Sequence, residues 1–229
     1  MDTWLEWARG PLFRFALAIL LLGLARMLFL SGVGLANSIY RAGDRRLQLS
    51  TIFQSTLKWL LPFQEMKRRP VYSITSILFH VGLILTPLFL AGHIMLWKRG
   101  IGVSWPSLDY GVVDGLTVLT ILTGVGLTIA RIARPGPRSY EDIFLPSLLI
   151  TPFLFGFLVM HPGLNPLPYE AVMLVHVLSA DLILILIPFT KMAHVVLLPS
   201  ALVSKLGLRL LSYPGEKAGI ALQEEKELI

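Results

Sequence analysis

Cysteine is absent from the 229 residues, which excludes disulfides, thiolate-held iron–sulfur clusters and cysteine zinc sites within this chain. Any redox centre it holds must use other ligands. Charge is scarce as well: charged residues make up 15% against 55% hydrophobic ones, and the mean hydropathy is +0.71. A soluble fold has too little polar surface to cover so much apolar side chain, so the composition belongs to the membrane class. The net charge of +6 would suit nucleic acid, but the basic residues sit in short stretches between apolar runs, where a membrane protein keeps its orientation signals. Nucleic acid is therefore discounted. No repeat, low-complexity tract or second domain interrupts the pattern.

What the chain has in abundance is apolar runs of about 20 residues, the length that crosses a bilayer. Five are expected: Leu12 to Ile39, Ile74 to Trp97, Val112 to Ile132, Ile143 to Met160 and Tyr169 to Leu198. The first is too long for a signal peptide, begins with acidic Asp2 and Glu6 and ends without a small-residue cleavage site, so it is expected to remain as a helix. Trp4, Trp7, Trp97 and Trp105 stand at span ends, where amphipathic rings settle. The basic residues fix an orientation. Arg41, Arg45, Arg46, Lys58, Lys67, Arg68, Arg69, Arg131, Arg134, Arg138, Lys205, Arg209, Lys217 and Lys226 fall on one side, and only Arg9, Arg14, Lys98 and Arg99 on the other. The positive-inside rule then places the N-terminus outside and the C-terminus in the cytoplasm.

The expected fold is an all-α integral membrane protein, a five-transmembrane-helix bundle over residues 1–200 with a cytoplasmic tail at 201–229. The connection "RLQLSTIFQSTLKWLLPFQEMKRRP" reads as amphipathic and interfacial, closed by Pro70.

Two of the spans carry histidines. In "FHVGLILTPLFLAGH" His80 and His93 open and close an apolar stretch of the second span; His176 and His194 lie in the fifth, which runs the other way. Depth therefore pairs His80 with His194 near the cytoplasm and His93 with His176 near the outside. Paired neutral imidazoles from facing helices are what a bis-histidine b-type haem requires. In the fifth span an 18-residue interval is five full turns of a continuous helix, about 27 Å with both rings on one face. In the second, 13 residues leave the rings about 140° out of phase on a straight helix, and Pro87 between them offers a kink. A single histidine in an apolar helix is more often a hydrogen-bonded helix contact, but four at two matched depths point to ligation. A zinc site would want its ligands clustered rather than split across the membrane.

The stretch "FHVGLILTPLFLAGH" resembles the second helix of the gamma subunit of respiratory nitrate reductase, with its Phe-His-hydrophobic-Gly opening and Gly-His close. "LVHVLSADLILILIPFTKMAHVVLLPS" is similar to that family's fifth helix, and "GLAR" agrees with its first. The family includes membrane cytochromes b linked to sulfite reductase and to heterodisulfide-reductase-like complexes. The resemblance implies two b-type haems, an inner one on His80 and His194 and an outer one on His93 and His176. It further implies electron transfer between a quinone, commonly menaquinone, and partner subunits carrying iron–sulfur clusters or a catalytic centre, in a prokaryotic inner membrane. The chain departs from the nitrate reductase member in a longer interval between the histidines of the second span.

Other polar residues inside the spans have two readings each. Arg26 and Asp181, both near mid-depth, could form a buried ion pair, or Arg26 could face a haem propionate. Lys191 could neutralise an inner propionate or snorkel to the interface. A quinone site needs an apolar slot and a group that exchanges protons with ring oxygens; Asp114 and His161 are the outer candidates. Asp114 could equally cap its helix, and His161 could sit in the interface or replace His93 as outer ligand. The partner is expected on the basic cytoplasmic surface, with a periplasmic cytochrome as the other possibility. A haem-free membrane anchor or a small transporter is the competing class; neither gives a reason for paired histidines.

Overall fold

Leu-, Ile- and Val-rich segments without polar interruption can satisfy their backbone only as helices, and the computed structural model, which describes residues 2–42, 63–133, 136 and 139–193, contains helices and turns with no strand among them. In chain order these are α1 (Asp2–Trp7), a π-helical turn (Ala8–Leu12) around Pro11, α2 (Phe13–Ala42), α3 (Phe63–Arg68), α4 (Pro70–Phe89), α5 (Ala91–Ile101), α6 (Tyr110–Ala133), α7 (Glu141–Met160) and α8 (Tyr169–Leu186). Two 3-10 turns follow at Ile187–Phe189 and Lys191–Ala193. Among the described residues, five helical segments are long and apolar enough to cross a membrane: Thr3–Gly34, Pro70–Phe89, Tyr110–Ala133, Glu141–Met160 and Tyr169–Phe189.

The chain divides into two units. One comprises Met1–Ala16 and Gln64–Leu184, the other Leu17–Phe63 and Ile185–Ile229. In the first, α4 packs closely on α6, and α6 on α7. Small residues make this approach possible, as is usual where lipid leaves only packing to hold helices together. A Cβ at Gly82 would run into the Thr120 hydroxyl, and one at Gly124 would lie 2.7 Å from Ile150 and 2.9 Å from Phe79. Phe79, Val113, Leu145 and Ile150 are buried in this interface region. In the second unit, Gly23 of α2 lies against Pro188, whose Cβ a side chain at 23 would meet at 2.5 Å.

Two helices depart from the straight spans expected. The second span is not continuous to Trp97: α4 stops at Phe89, Leu90 adopts an extended conformation (φ −70°, ψ 125°), and α5 starts anew at Ala91. Pro87 lies inside α4 and takes one bond from the turn before it, at the Leu83 carbonyl; the break itself falls three residues later, at Leu90. The break survives because its freed carbonyls all find donors. Thr86 O accepts from Leu90 N (3.0 Å), Phe89 O from Leu108 N (3.1 Å), and Leu90 O from the amides of His93 and Ile94. Leu88 O accepts from the Trp105 indole at 2.8 Å, and Pro87 O takes the His93 ring at 3.0 Å. Gly102, at φ 76°, then closes α5 with its N–H on Lys98 O.

The fifth span also ends earlier as an α-helix. α8 stops at Leu186 and Pro188 sits in the first 3-10 turn, so the five-turn projection from His176 to residue 194 does not hold: a 3-10 turn advances and rotates differently. His194 itself lies outside the described residues, as do Arg134, Arg138 and the tail 201–229.

Candidate functional site

His93 and His176 come together. Their ring centres are 6.1 Å apart and their planes nearly parallel, at 14°. His93 owes its place to the broken helix. On a straight helix it would point away from the face carrying His80; after Leu90 the helical phase is reset, and the His93 ring turns back to the Pro87 carbonyl six residues earlier.

His176 is fixed from the neighbouring helix. Its Nδ1 lies 2.7 Å from Pro152 O of α7, and one turn further along α7 Gly156 leaves room for the ring: a Cβ there would sit 3.0 Å from His176 Cε1 and Nδ1. Pro152 and Gly156, four residues apart, form a cradle on one helix face.

Both rings have Nδ1 against a carbonyl, so the ring proton resides on Nδ1 and Nε2 keeps its lone pair. That is the tautomer and the backbone support typical of a metal-ligating histidine. His80 follows the same pattern, with Nδ1 2.7 Å from Ser76 O and its ring edge-on to Phe79, 5.7 Å between centres. It is half-buried in α4. Among the described residues no group of three or more His, Asp or Glu gathers as a metal cluster.

His161 and Asp114 also meet. His161 ends α7, and Phe157 O accepts from both its backbone N–H (3.0 Å) and its Nδ1 (2.9 Å). The ring stacks on Phe157 with centres 4.1 Å apart, and Nε2 lies 3.6 Å from Asp114 Oδ2. Asp114 is not the cap of α6. That part is taken by Asp109, whose Oδ1 accepts from Gly111 N at 2.9 Å.

The remaining candidates are dispersed. Asp181 is buried on α8, 2% exposed, and its Oδ2 has no hydrogen-bond partner among the described residues. Arg26 is exposed on the part of α2 that belongs to the other unit, so their ion pair stays an expectation. Lys191 is exposed in the second 3-10 turn. Sequence reading missed Pro152, Gly156, Phe157 and the Leu90 break. The Pro-x-x-x-Gly spacing of 152 and 156 was the available signal for the first two.

Five membrane-length helices with a half-buried histidine pair among them mark the class: a multi-pass, all-helical membrane protein. No protein-family model matches the chain, and no solved structure matches it. It is similar to a protein of Nitratidesulfovibrio vulgaris (strain Hildenborough) whose name states no activity, with 40% identity over 150 residues, or 63% of this chain. The chain spans 65% of that relative's length.

Proposed function

We propose that this protein is a di-haem membrane cytochrome b that passes electrons between a quinone or quinol, menaquinol by resemblance, and redox subunits of a respiratory complex. The observation that carries the reading is the His93–His176 pair. Two imidazoles brought side by side, each with Nδ1 on a backbone carbonyl and Nε2 keeping its lone pair, are the kind of donor pair that haem iron takes. The residues present fit a b-type haem in this respect, in their tautomers and in the room Gly156 leaves for His176.

Bound there, haem would be held by His93 and His176 and would supply reversible one-electron chemistry. The chain's own contribution is to hold the two ring nitrogens. The carbonyls of Pro87 and Pro152 keep each Nδ1 protonated and each ring oriented. His80 is assigned the inner haem, with His194 as its partner. Arg26 and Lys191 are assigned to propionates or, for Arg26, to Asp181.

A chain without cysteine cannot carry iron–sulfur clusters. The partner that does so is assigned to the basic cytoplasmic side, the N-terminus outside, in a prokaryotic inner membrane; a periplasmic cytochrome is the other electron partner the topology permits. Reduced-minus-oxidised spectra of the purified chain, with haem extraction, test the reading. Two b-type haems per chain are expected, and the lack of any b-type signal would leave an anchor or transporter instead.

A further inference from the structure

We infer that α5 lies in the lipid headgroup layer and that Lys98 and Arg99 on it take the phosphate of an anionic phospholipid. The inference needs only the membrane reading of the helices and stands apart from the haem. Depth is the first observation. α4 is 20 residues long, about 30 Å, which is the thickness of the hydrocarbon layer. Its last residue therefore stands at the boundary, and the chain comes back to that same level. Leu108 N bonds to Phe89 O at 3.1 Å, and the Trp105 indole to Leu88 O at 2.8 Å. Residues 90–108 thus leave the boundary and return to it without crossing. Tyr110 begins α6 and Tyr169 begins α8; both are half-exposed, and phenol rings at span ends settle at this level.

The two faces of α5 are the second observation. His93, Ile94 and Trp97 turn inward: Ile94 is buried, the His93 ring reaches Pro87 O, and Trp97 lies 6.5 Å from Trp105 between ring centres. Met95, Leu96, Lys98 and Arg99 turn outward and are all exposed. Met95 is 47% and Leu96 43% exposed, and Val103 in the following loop 50%. Water is a poor neighbour for the aliphatic side chains of this face, and hydrocarbon for its two cations. The headgroup boundary accepts both, with the aliphatic parts toward the acyl chains and the charged ends among the phosphates.

Charge selects the lipid. Neither Lys98 nor Arg99 has an ion pair among the described residues, and no acidic residue stands between Ala91 and Leu108. The first one beyond, Asp109, is engaged with Gly111 N. Two adjacent cations without a local counter-charge attract a phosphodiester of net negative charge, such as phosphatidylglycerol, over a zwitterionic headgroup. The same helix carries His93 on its inward face, so the headgroups hold the outer side of the segment that places this imidazole.

Because the chain has no cysteine, Leu96→Cys supplies one thiol for a bimane fluorophore in the full-length protein. In nanodiscs containing phosphatidylglycerol, quenching by a lipid spin-labelled just below its headgroup should exceed quenching by aqueous iodide. In detergent, titration with short-chain phosphatidylglycerol should change the bimane emission, less so as salt is raised. Phosphatidylcholine of the same chain length and inorganic phosphate should not compete at equal concentration. Lys98→Gln and Arg99→Gln are each expected to raise the phosphatidylglycerol Kd about fivefold, and together about twentyfold, as one basic residue near a lipid surface contributes about a factor of five. The unfolding temperature in detergent should stay that of the parent. A label open to iodide and untouched by the spin-labelled lipid overturns the placement, and so does a label shielded from both quenchers, as it would be beneath a partner chain. A Kd within about twofold of the parent in the double variant, or inorganic phosphate competing as well as the lipid, overturns the headgroup site. Should the label at 96 disturb α5, the same two quenchers read at Val103→Cys decide the placement.

Discussion

His176 of α8 donates its Nδ1 proton to the carbonyl oxygen of Pro152 on α7, 2.7 Å away, and the glycine one turn beyond gives the ring its room. A side chain at Gly156 would have to displace the imidazole or the helix, at a cost of about 1–3 kcal/mol for overpacking of this kind. On the proposed di-haem reading, Gly156→Val is expected to lower haem content from two per chain to about one. The haem that disappears should be the one lost in His176→Ala. Full retention of both haems would show that the cradle does not position a ligand.

The pairing of ligands makes a sharper demand. His93→Ala and His176→Ala should each remove one and the same haem, and His80→Ala should remove the other together with His194→Ala. Low-temperature spectra of the four variants, compared band by band, check this. Loss of different haems within either pair breaks the assignment.

The break at Leu90 is held by donors that come from elsewhere in the chain, above all the Trp105 indole on Leu88 O. Trp105→Phe keeps the aromatic ring and removes the N–H. The bond lies at an exposed position, so losing its donor costs at most the about 1–3 kcal/mol of a buried carbonyl. Thermal unfolding in detergent should move to lower temperature, and occupancy of the outer haem should drop more than that of the inner one. Equal loss of both haems would mean that the indole stabilises the bundle in general and not the His93 segment.

The number and approximate limits of the spans were legible because each is an uninterrupted apolar run, and α6 and α7 fall within two residues of the expected boundaries. Of the histidine pairs expected, the meeting of His93 with His176 was legible, while His194 lies outside the described residues. What the sequence did not display was how the second helix turns. Thirteen residues put His80 and His93 out of phase, and Pro87 signalled a disturbance without its form; the form depends on Trp105 and Leu108, residues of a later loop that happen to carry the donors the broken turn needs. The same is true of the fifth helix, where continuity past Leu186 was assumed from hydropathy and 3-10 turns intervene around Pro188. The Pro152 carbonyl is a backbone group, so the Pro-x-x-x-Gly spacing of 152 and 156 hinted at the cradle without naming His176 as what it supports.

The buried carboxyl of Asp181 supplies a last test. Its Oδ2 has no hydrogen-bond partner among the described residues, and a carboxylate taken out of water without a partner is costly. If Arg26 answers it, as mid-depth placement in the sequence suggests, the two charges should behave as a unit. Arg26→Gln and Asp181→Asn would then each destabilise the chain, and the double variant would be no worse than the weaker single one, a coupling of at least about 0.5 kcal/mol. Strictly additive effects would separate the two residues. In that case loss of haem in Arg26→Gln alone would assign the arginine to a propionate, and Asp181→Leu, which removes the uncompensated group, should raise the unfolding temperature.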